Sequence, residues 1–201
     1  MRFPGPTHLV VGFEYQADAE RFLKEFRERL AKFGLTVHPE KTRLIEFGRS
    51  ARKQRAQRGE GEPETFAFLG FTHQCEVTQS GGFQVKRTTG CAEGRKRMEA
   101  KLQEVKQNLR QRMHEAVNLT GSWLRQVLQG YYQYHAIPGN LATLKRFRER
   151  IQQHWRRSLR RRSQGRAPHE SRLACLFARW LPRPRTLHPY PWLRFDARHP
   201  R

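Results

Sequence analysis

The chain has 201 residues, with 40 lysine and arginine side chains against 18 aspartates and glutamates, a formal net charge of +22. A charge this large opposes compaction by self-repulsion and indicates a polyanionic partner, either a nucleic acid or an acidic membrane surface. The composition argues against a membrane-spanning helix, because no run of about 18 apolar residues occurs, and against a disulfide framework or Cys-rich zinc site, because the three cysteines lie far apart.

The positive charge is concentrated in the second half of the chain. Residues 1–90 hold 15 basic and 11 acidic side chains, whereas residues 91–201 hold 25 basic and 7 acidic ones, a net charge of +18. The second half is therefore expected to face the polyanion. Thirteen Phe, five Tyr and four Trp suffice for a core. Because the N-terminus also lacks the layout of a signal peptide, we expect a folded, cytoplasmic protein.

Short strands and one amphipathic helix are predicted at the start of the chain. The apolar run at residues 9–13 is typical of a buried strand. The helix that follows has apolar residues at helical spacing and is expected to end at Gly34. Residues 35–37 and 44–47 predict two further strands, which flank a turn at residues 38–41.

A loop and a hairpin are predicted next. Residues 48–64 are polar and have no periodicity, so we expect a solvated loop there. Residues 66–72 and 83–87 predict a hairpin around the glycine pair at 81–82. The first part of the chain therefore predicts a small sheet with one helix.

From residue 94 onward the apolar periodicity becomes helical and predicts four helices. Their apolar stripes are Met98, Leu102, Val105, Leu109 and Met113; Trp123, Leu124, Val127, Leu128 and Tyr131; Leu144, Phe147, Ile151, Trp155 and Leu159; and Leu173, Leu176, Phe177 and Trp180. Thr120 and Asn140 are the expected N-caps of the second and third of these helices. The predicted class is α+β, with a sheet domain at 1–90, a helical domain at 91–180 and an extended Pro/Arg-rich tail at 181–201.

The third of these helices is the most basic element of the chain. Its cations are Lys145, Arg146, Arg148, Arg150, Arg156, Arg157, Arg160, Arg161 and Arg162, and only Glu149 interrupts them. The planar arginine fork binds phosphates through paired hydrogen bonds and also stacks on bases. We interpret this helix as an RNA-binding surface whose affinity falls steeply with salt. The alternative interpretation is a solvated helix face.

Aromatic side chains offer a second means of binding RNA, because they can stack on unpaired bases. Trp123, Tyr131 and Trp155 fit the apolar stripes and are predicted to lie in the core. Tyr132 and Tyr134 fall off the stripe, so that core packing and base stacking are both open for them.

Several motifs of the chain resemble those of bacterial group II intron reverse transcriptases. They lie at residues 9–13, 33–35, 38–44, 68–71, 121–123, 130–134, 137–140, 159–163, 180–182 and 187–191. The motifs up to residue 44 look like the end of the palm, and Phe-Leu-Gly-Phe at 68–71 is similar to the primer-grip hairpin. The later motifs are similar to the thumb and the maturase-specific domain. The resemblance covers residues 9–196, nearly the whole chain.

The resemblance implies the C-terminal portion of an intron-encoded protein that binds structured group II intron RNA and assists its splicing. In that family the RNA supplies the splicing chemistry, so maturase action is a form of binding. The resemblance also places Lys41 near the incoming nucleotide, and Phe68, Leu69, Gly70 and Phe71 at the primer end. The alternative is that Lys41 is a turn lysine and that Phe68, Leu69 and Phe71 belong to the core.

The catalytic aspartates of that family are absent from the sequence. The family has Tyr-Ala-Asp-Asp immediately before the strand that corresponds to residues 9–13, where residues 5–8 of this chain read Gly-Pro-Thr-His. The intact family enzyme is expected to use two Mg²⁺ ions, which require converging carboxylates. Only Asp18 and Asp196 occur in this chain. We therefore predict no catalytic residue, no metal ligand and no cofactor.

Two alternatives follow from the missing aspartates. The chain could be one half of a split RNA-directed DNA polymerase, in which a separate fingers and palm polypeptide supplies the carboxylates and covers the strand at 9–13. It could also be a degenerate fragment without a stable fold, since a truncated palm exposes apolar surface. Cooperative unfolding of the isolated chain would exclude the second alternative.

Overall fold

A computed structural model describes residues 9–78, 81–90, 92–162 and 169–190. Within these ranges six α-helices and a three-stranded antiparallel sheet, ordered β1-β2-β3, form the α+β fold that the sequence predicts. The elements are α1 (Gln16–Ala31), a 3-10 turn (Pro39–Lys41), α2 (Arg49–Gln57), β1 (Phe66–Phe68), β2 (Phe71–Val77), β3 (Phe83–Thr88), α3 (Ala92–Gln111), α4 (Val117–His135), α5 (Leu141–Arg162) and α6 (Glu170–Trp180).

The chain divides into two compact units. The first, called the N-terminal unit below, comprises Met1–Leu69 and Gln74–Val85. The second, called the helical unit, comprises Gly70–His73 and Lys86–Arg201. The apolar stripes of the last four helices lie in the helical unit, and so does the basic helix α5.

The N-terminal unit begins with a helix that ends where the sequence predicts. Gly34 has a φ of +67°, a conformation that glycine adopts without strain. Its N–H donates to the carbonyl of Ala31, and the N–H of Leu35 donates to the carbonyl of Leu30, both at 3.0 Å. This pair of bonds is the Schellman arrangement, which satisfies carbonyls at the end of a helix.

Three strands predicted for the N-terminal unit are absent. Residues 9–13, 35–37 and 44–47 form no strand, although the turn predicted between the last two is present as the 3-10 turn. The run at 9–13 was also expected to be buried, and this is wrong, because Leu9 is 61 % exposed. A strand requires a hydrogen-bonded neighbour, and an apolar run alone cannot provide one.

The prediction of a loop at residues 48–64 is also wrong, because helix α2 lies within this segment. Only Ala51 of this helix is buried, so the segment has no apolar periodicity to detect. Ion pairs lie around it: Arg58, directly after the helix, pairs with Glu46 and Glu60 at 2.5 Å and 3.0 Å. Arg52 pairs with Glu62 at 2.8 Å.

The predicted hairpin is present, with one additional turn. Strands β2 and β3 are joined at Gly81, whose φ is +81°, as expected. The single strand predicted at residues 66–72 is divided into β1 and β2 by Leu69 and Gly70, which have φ values of +48° and +78°. Two successive positive φ angles are typical of a tight hairpin turn. Leucine seldom adopts this conformation, which is why the sequence did not indicate a turn there.

The core of the helical unit follows the predicted stripes closely. Helix α5 packs along α3 and α4, and α4 also packs against α6. The buried residues are Met98, Leu102, Val105, Leu109, Leu124, Leu128, Tyr132, Ala136, Leu144, Phe147, Ile151, Trp155, Leu159, Leu173, Phe177 and Leu181. Met113 is the exception among the first stripe, since it lies beyond the end of α3 and is only partly buried.

The two predicted N-caps differ in outcome. Asn140 occupies the N-cap position of α5, where its carbonyl accepts from the N–H of Leu144 at 3.3 Å, whereas Thr120 does not cap α4. Thr120 lies inside α4, where it is buried and its hydroxyl donates to the carbonyl of Ala116. Asn140 directly precedes α5, but its side chain bridges other segments. Its Oδ1 accepts bonds from the N–H and the hydroxyl of Thr89, at 3.3 Å and 2.9 Å, and its Nδ2 donates to the carbonyl of His135. Buried Asn140 thus joins the segment after β3 to the end of α4.

The first residues of the predicted tail pack on the helices. Residues 181–190 form no helix or strand. Leu181 is buried, and the N–H groups of Leu187 and His188 both donate to the carbonyl of Ala136. The remaining tail residues, 191–201, and Ser163 of the motif at 159–163 lie outside the described residues.

Alanine at two glycines of α4 tests this packing. A Cβ at Gly121 would lie 2.6 Å from Cγ of Trp180, whereas a Cβ at Gly130 would meet nothing within 4 Å. Replacing glycine by alanine raises the intrinsic helix propensity by the same amount at both positions, so this contribution cancels when the stabilities of the two variants are compared. We expect Gly121→Ala to be less stable than Gly130→Ala by about 1–3 kcal/mol, measured by urea unfolding. Equal stability of the two variants would contradict the packing of α6 on α4.

Candidate nucleic-acid interface

One flank of α5 uses its arginines to hold neighbouring segments. Arg148 donates from Nε and from one terminal nitrogen to the carbonyl of Leu181, both at 3.1 Å. Arg156 and Arg160 pair with the same carboxylate, Glu170 at the start of α6, at 3.1 Å and 2.9 Å. These three arginines belong to the predicted RNA-binding set. In the structure they fix α6 and the segment after it against α5.

The other flank of α5 faces α3. Arg150 pairs with Glu99 of α3 at 3.2 Å. The hydroxyl of Ser158 donates to the carbonyl of Leu109, near the other end of α3. Contacts along both flanks, together with the buried stripe, fix the rotation of α5 about its axis.

The outward face of α5 carries Arg146, Arg157 and Arg161, which we call the arginine ridge. All three are exposed, and none forms an ion pair with a carboxylate in the described part of the chain. With 3.6 residues per turn, they lie within a sector of about 60° over a length of about 22 Å, and Arg150, which pairs with Glu99, lies in the same sector. No carboxylate of the described residues forms an ion pair with these three guanidinium groups.

Two further predicted cations lie near the ends of α5. Lys145 is exposed in the first turn of the helix and forms no ion pair among the described residues. Arg162 is half-buried at the last described position of the helix. Both add positive charge without belonging to the ridge.

The electrostatic effect of the uncompensated charge is seen at His154, which lies between α5 and α3. Burial is the largest cause that lowers its pKa, followed by the cations Arg150, Arg157 and Lys106. Glu99 acts in the opposite direction. Its Nε2 is buried and has no hydrogen-bond partner. Burial thus contributes most to the lowered pKa, and the three nearby cations add to it on this side of the helix pair.

Most of the aromatic candidates belong to the core. Trp155 is buried as predicted, whereas Trp123 and Tyr131 are only partly buried and pack against the core, Tyr131 stacking on Phe147 with ring centroids 3.8 Å apart. Tyr132, for which the sequence allows both core packing and base stacking, is buried and donates its hydroxyl to the carbonyl of Pro182 at 3.2 Å. Its ring is therefore not available for stacking. Tyr134 is 51 % exposed and keeps that possibility.

The residues that resemble polymerase elements are placed as follows. Lys41 is exposed at the end of the 3-10 turn. Phe68 is half-buried in β1, and Leu69 is exposed in the turn after it. Gly70 follows in the turn, and Phe71 is buried in the helical unit, where its ring stacks on that of Tyr134 at 5.4 Å.

The described residues do not fit a two-magnesium site. Asp18 is paired with Arg21 at 2.9 Å, and Asp196 and residues 5–8 lie outside the described residues. Among the residues that are described, no group of three or more His, Cys, Asp or Glu side chains could hold a metal ion. Two Mg²⁺ ions require several converging carboxylates. We derive no metal-dependent step for this chain.

The sequence did not indicate which cations are neutralised. Glu170 and Glu99 are far from the arginines that they contact, by 10 and 51 residues in the chain. Their effect on α5 follows from the packing of α6 and α3 alone. Lys106 was likewise missed, because its proximity to His154 depends on the packing of α3 on α5.

Comparisons with known proteins give no relative: no family model, no curated protein and no solved structure matches the chain. The resemblance to group II intron reverse transcriptases therefore depends on the motifs alone. A search of the described residues for a helix long and apolar enough to cross a membrane also gives none.

The pKa of His154 tests the electrostatics of this surface. We expect it below the ordinary value of about 6.5, because burial and three cations disfavour the charged imidazole. Arg157→Gln should raise this pKa, and Glu99→Gln should lower it further. Histidine NMR signals across pH measure all three values.

The lowered pKa of His154 also makes the stability of the fold depend on pH. The unfolded chain takes up this proton at a higher pH than the folded chain, so stability should fall as the pH drops below about 6.5. A His154→Gln variant should lose part of that dependence. A pKa of His154 at or above the ordinary value would contradict the effect of burial and the nearby cations.

Proposed function

We propose that this protein binds structured RNA through the arginine ridge of α5. The observation that carries the proposal is the alignment of Arg146, Arg157 and Arg161 on one exposed face, without carboxylate partners among the described residues. The three guanidinium groups are spread over about 22 Å and can therefore contact several phosphates at once. The rigid attachment of α5 to α3 and α6 supports binding to a partner of defined shape rather than to any polyanion.

RNA is favoured over an acidic membrane surface by the burial of the apolar face of α5. A helix that binds a membrane inserts its apolar face into the interface. In α5 that face consists of Leu144, Phe147, Ile151, Trp155 and Leu159, and all five are buried in the core. Only the polar face remains, and its arginines suit the bidentate recognition of phosphates.

The motifs that resemble the thumb and maturase domain extend the proposal to a class of RNA. They support a group II intron RNA as the partner and a maturase-type role, in which binding stabilises the folded intron. In this proposal the protein supplies phosphate contacts and a shaped surface, while the RNA carries out the chemistry of splicing. A protein of this kind needs no metal site of its own.

Neutralising the ridge should weaken RNA binding. For the triple variant Arg146→Gln, Arg157→Gln and Arg161→Gln, we expect the slope of log affinity against log salt to become shallower by about 2–3. Each lost phosphate contact lowers the magnitude of that slope by about 0.7–0.9. Affinity at physiological salt should fall accordingly. Filter binding to a structured intron RNA over a salt series measures both quantities.

A matched control removes the same charge from another place. Lys24, Arg27 and Arg29 are exposed on α1 and have no ion pair in the described ranges. Changing all three to Gln lowers the net charge by the same amount. If this control weakens binding as much as the ridge variant, the effect is one of net charge, and the ridge proposal is wrong.

A second candidate function rests on the N-terminal unit. None of the residues of α1 is buried, and large apolar side chains remain exposed around it. They are Leu9, Val10, Val11, Phe13, Tyr15, Phe33, Leu35 and Leu44. An exposed apolar surface of this kind is typical of a protein-binding site. It favours the split-polymerase hypothesis, in which a separate fingers and palm polypeptide covers this surface and supplies the aspartates.

Co-purification tests the second candidate. A polypeptide that carries the Tyr-Ala-Asp-Asp motif should co-purify with the tagged chain, and the paired change Leu9→Ser and Phe33→Ser should abolish the association. RNA binding by α5 should survive that change. A wild-type chain that remains a monomer in the presence of such a polypeptide would exclude the split polymerase.

A further inference from the structure

Helix α4 contains a glycine that packing does not explain. Two other helical glycines are required by close contacts: a Cβ at Gly94 would lie 2.3 Å from the carbonyl oxygen of Thr89, and a Cβ at Gly121 would lie 2.6 Å from Trp180. At Gly130 a Cβ would meet nothing within 4 Å. Glycine weakens a helix interior relative to alanine. The space above Gly130 is therefore open, at a cost to helix stability.

Gly130 lies in a groove of the helical unit with a volume of about 350 Å³. The groove is formed by α4 and by one residue of α3. Its other lining residues are Lys101, Gln126, Val127, Tyr131, Tyr134 and His135. Its volume lies at the lower end of the range for small-ligand sites.

The aromatic wall of the groove is held in place by other rings. Tyr134 stacks on Phe71 with centroids 5.4 Å apart and an angle of 24° between the planes, and it meets His135 edge to face at 4.8 Å. Tyr131 stacks on Phe147 at 3.8 Å. Rings fixed in this way lose little further freedom when a ligand stacks on them. Tyr134 nevertheless remains half exposed.

The polar side chains that line the groove suit the edge of a base. Its one lysine, Lys101, is paired with Glu104 at 2.8 Å, so its charge is largely compensated. The amide of Gln126 is exposed and offers both donors and an acceptor to the edge of a base. The cation Arg97 lies close enough to act on His135 of this groove. An aromatic wall, a floor without a side chain and a polar rim together match a flat ring system with hydrogen-bonding edges.

We propose that this groove binds one unpaired base of the RNA, which stacks against Tyr134 above Gly130 and is contacted at its edge by Gln126. The inference rests on the proposed RNA-binding function and adds a site for single-stranded RNA to it. The ridge binds phosphates of any sequence, whereas this groove recognises a base that is not paired.

The test fills the groove without disturbing the core. Gly130→Leu places a side chain where nothing stands within 4 Å of the Cβ. Gln129→Leu adds the same side chain at the neighbouring exposed position, which does not line the groove. Each protein is titrated with an RNA hairpin that ends in a single-stranded 3′ extension and with the same hairpin ending bluntly. Circular dichroism melts check that both variants fold.

The wild-type chain and Gln129→Leu should prefer the extended hairpin by roughly 5-fold to 100-fold, the usual effect of one stacked base. Gly130→Leu should lose this preference and keep its affinity for the blunt hairpin. A 4-thiouridine in the extension should cross-link to the segment that contains Tyr131 and Tyr134 in the wild type and not in Gly130→Leu.

Three outcomes would overturn the inference, and they can be told apart. If Gly130→Leu keeps the preference, the groove does not bind the base, while RNA binding by the ridge stands. If the wild-type chain binds both hairpins equally, the protein has no site for an unpaired base. If it binds neither hairpin at physiological salt, the proposed RNA-binding function fails together with the groove.

Discussion

The buried stripe of α5 is the constraint on which the rest of the helical unit depends. Leu144, Phe147, Ile151, Trp155 and Leu159 are all buried, and this fixes which way every other side chain of the helix points. The cations that flank the stripe meet Glu170 of α6 and Glu99 of α3, and these contacts offset part of the repulsion within a segment of high positive charge. The arginines that the stripe turns outward meet no carboxylate among the described residues, and they form the ridge. One side of the helix therefore packs in the core, and the other is the side that we propose binds RNA.

Ridge and groove would serve different parts of RNA recognition. Contacts to phosphates supply affinity and orientation, while contacts to bases supply selectivity. The three guanidinium groups of the ridge suit phosphates, and contacts to phosphates carry no sequence information. The groove at Gly130 has aromatic walls and a compensated lysine, so it contributes little to salt-dependent affinity. A protein that assists the folding of a structured RNA would use both, because such RNAs combine paired helices with unpaired bases.

The sequence predicted the helical unit well and the N-terminal unit poorly, for one physical reason. Helical periodicity reports burial within a single segment, so residues such as Leu102, Leu128 and Phe177 could be assigned to the core correctly. A strand depends on a neighbour elsewhere in the chain, and the apolar run that begins at Leu9 has none among the described residues. Helix α2 was missed because only Ala51 of its residues is buried, so that it has no apolar stripe to detect. The bridging role of Asn140 and the burial of Tyr132 likewise depend on partners about 50 residues away. For the candidate site, the basic helix was evident from the sequence. Which of its arginines pair with carboxylates and which do not depends on the packing of α3 and α6 against it.

The most direct test of the central claim is the affinity of the unmodified chain for a structured group II intron RNA, measured across a salt series with an unrelated duplex as competitor. The account predicts tight binding that resists the competitor and weakens steeply as salt rises. A chain that binds every polyanion equally well, or that binds no RNA at physiological salt, would contradict it.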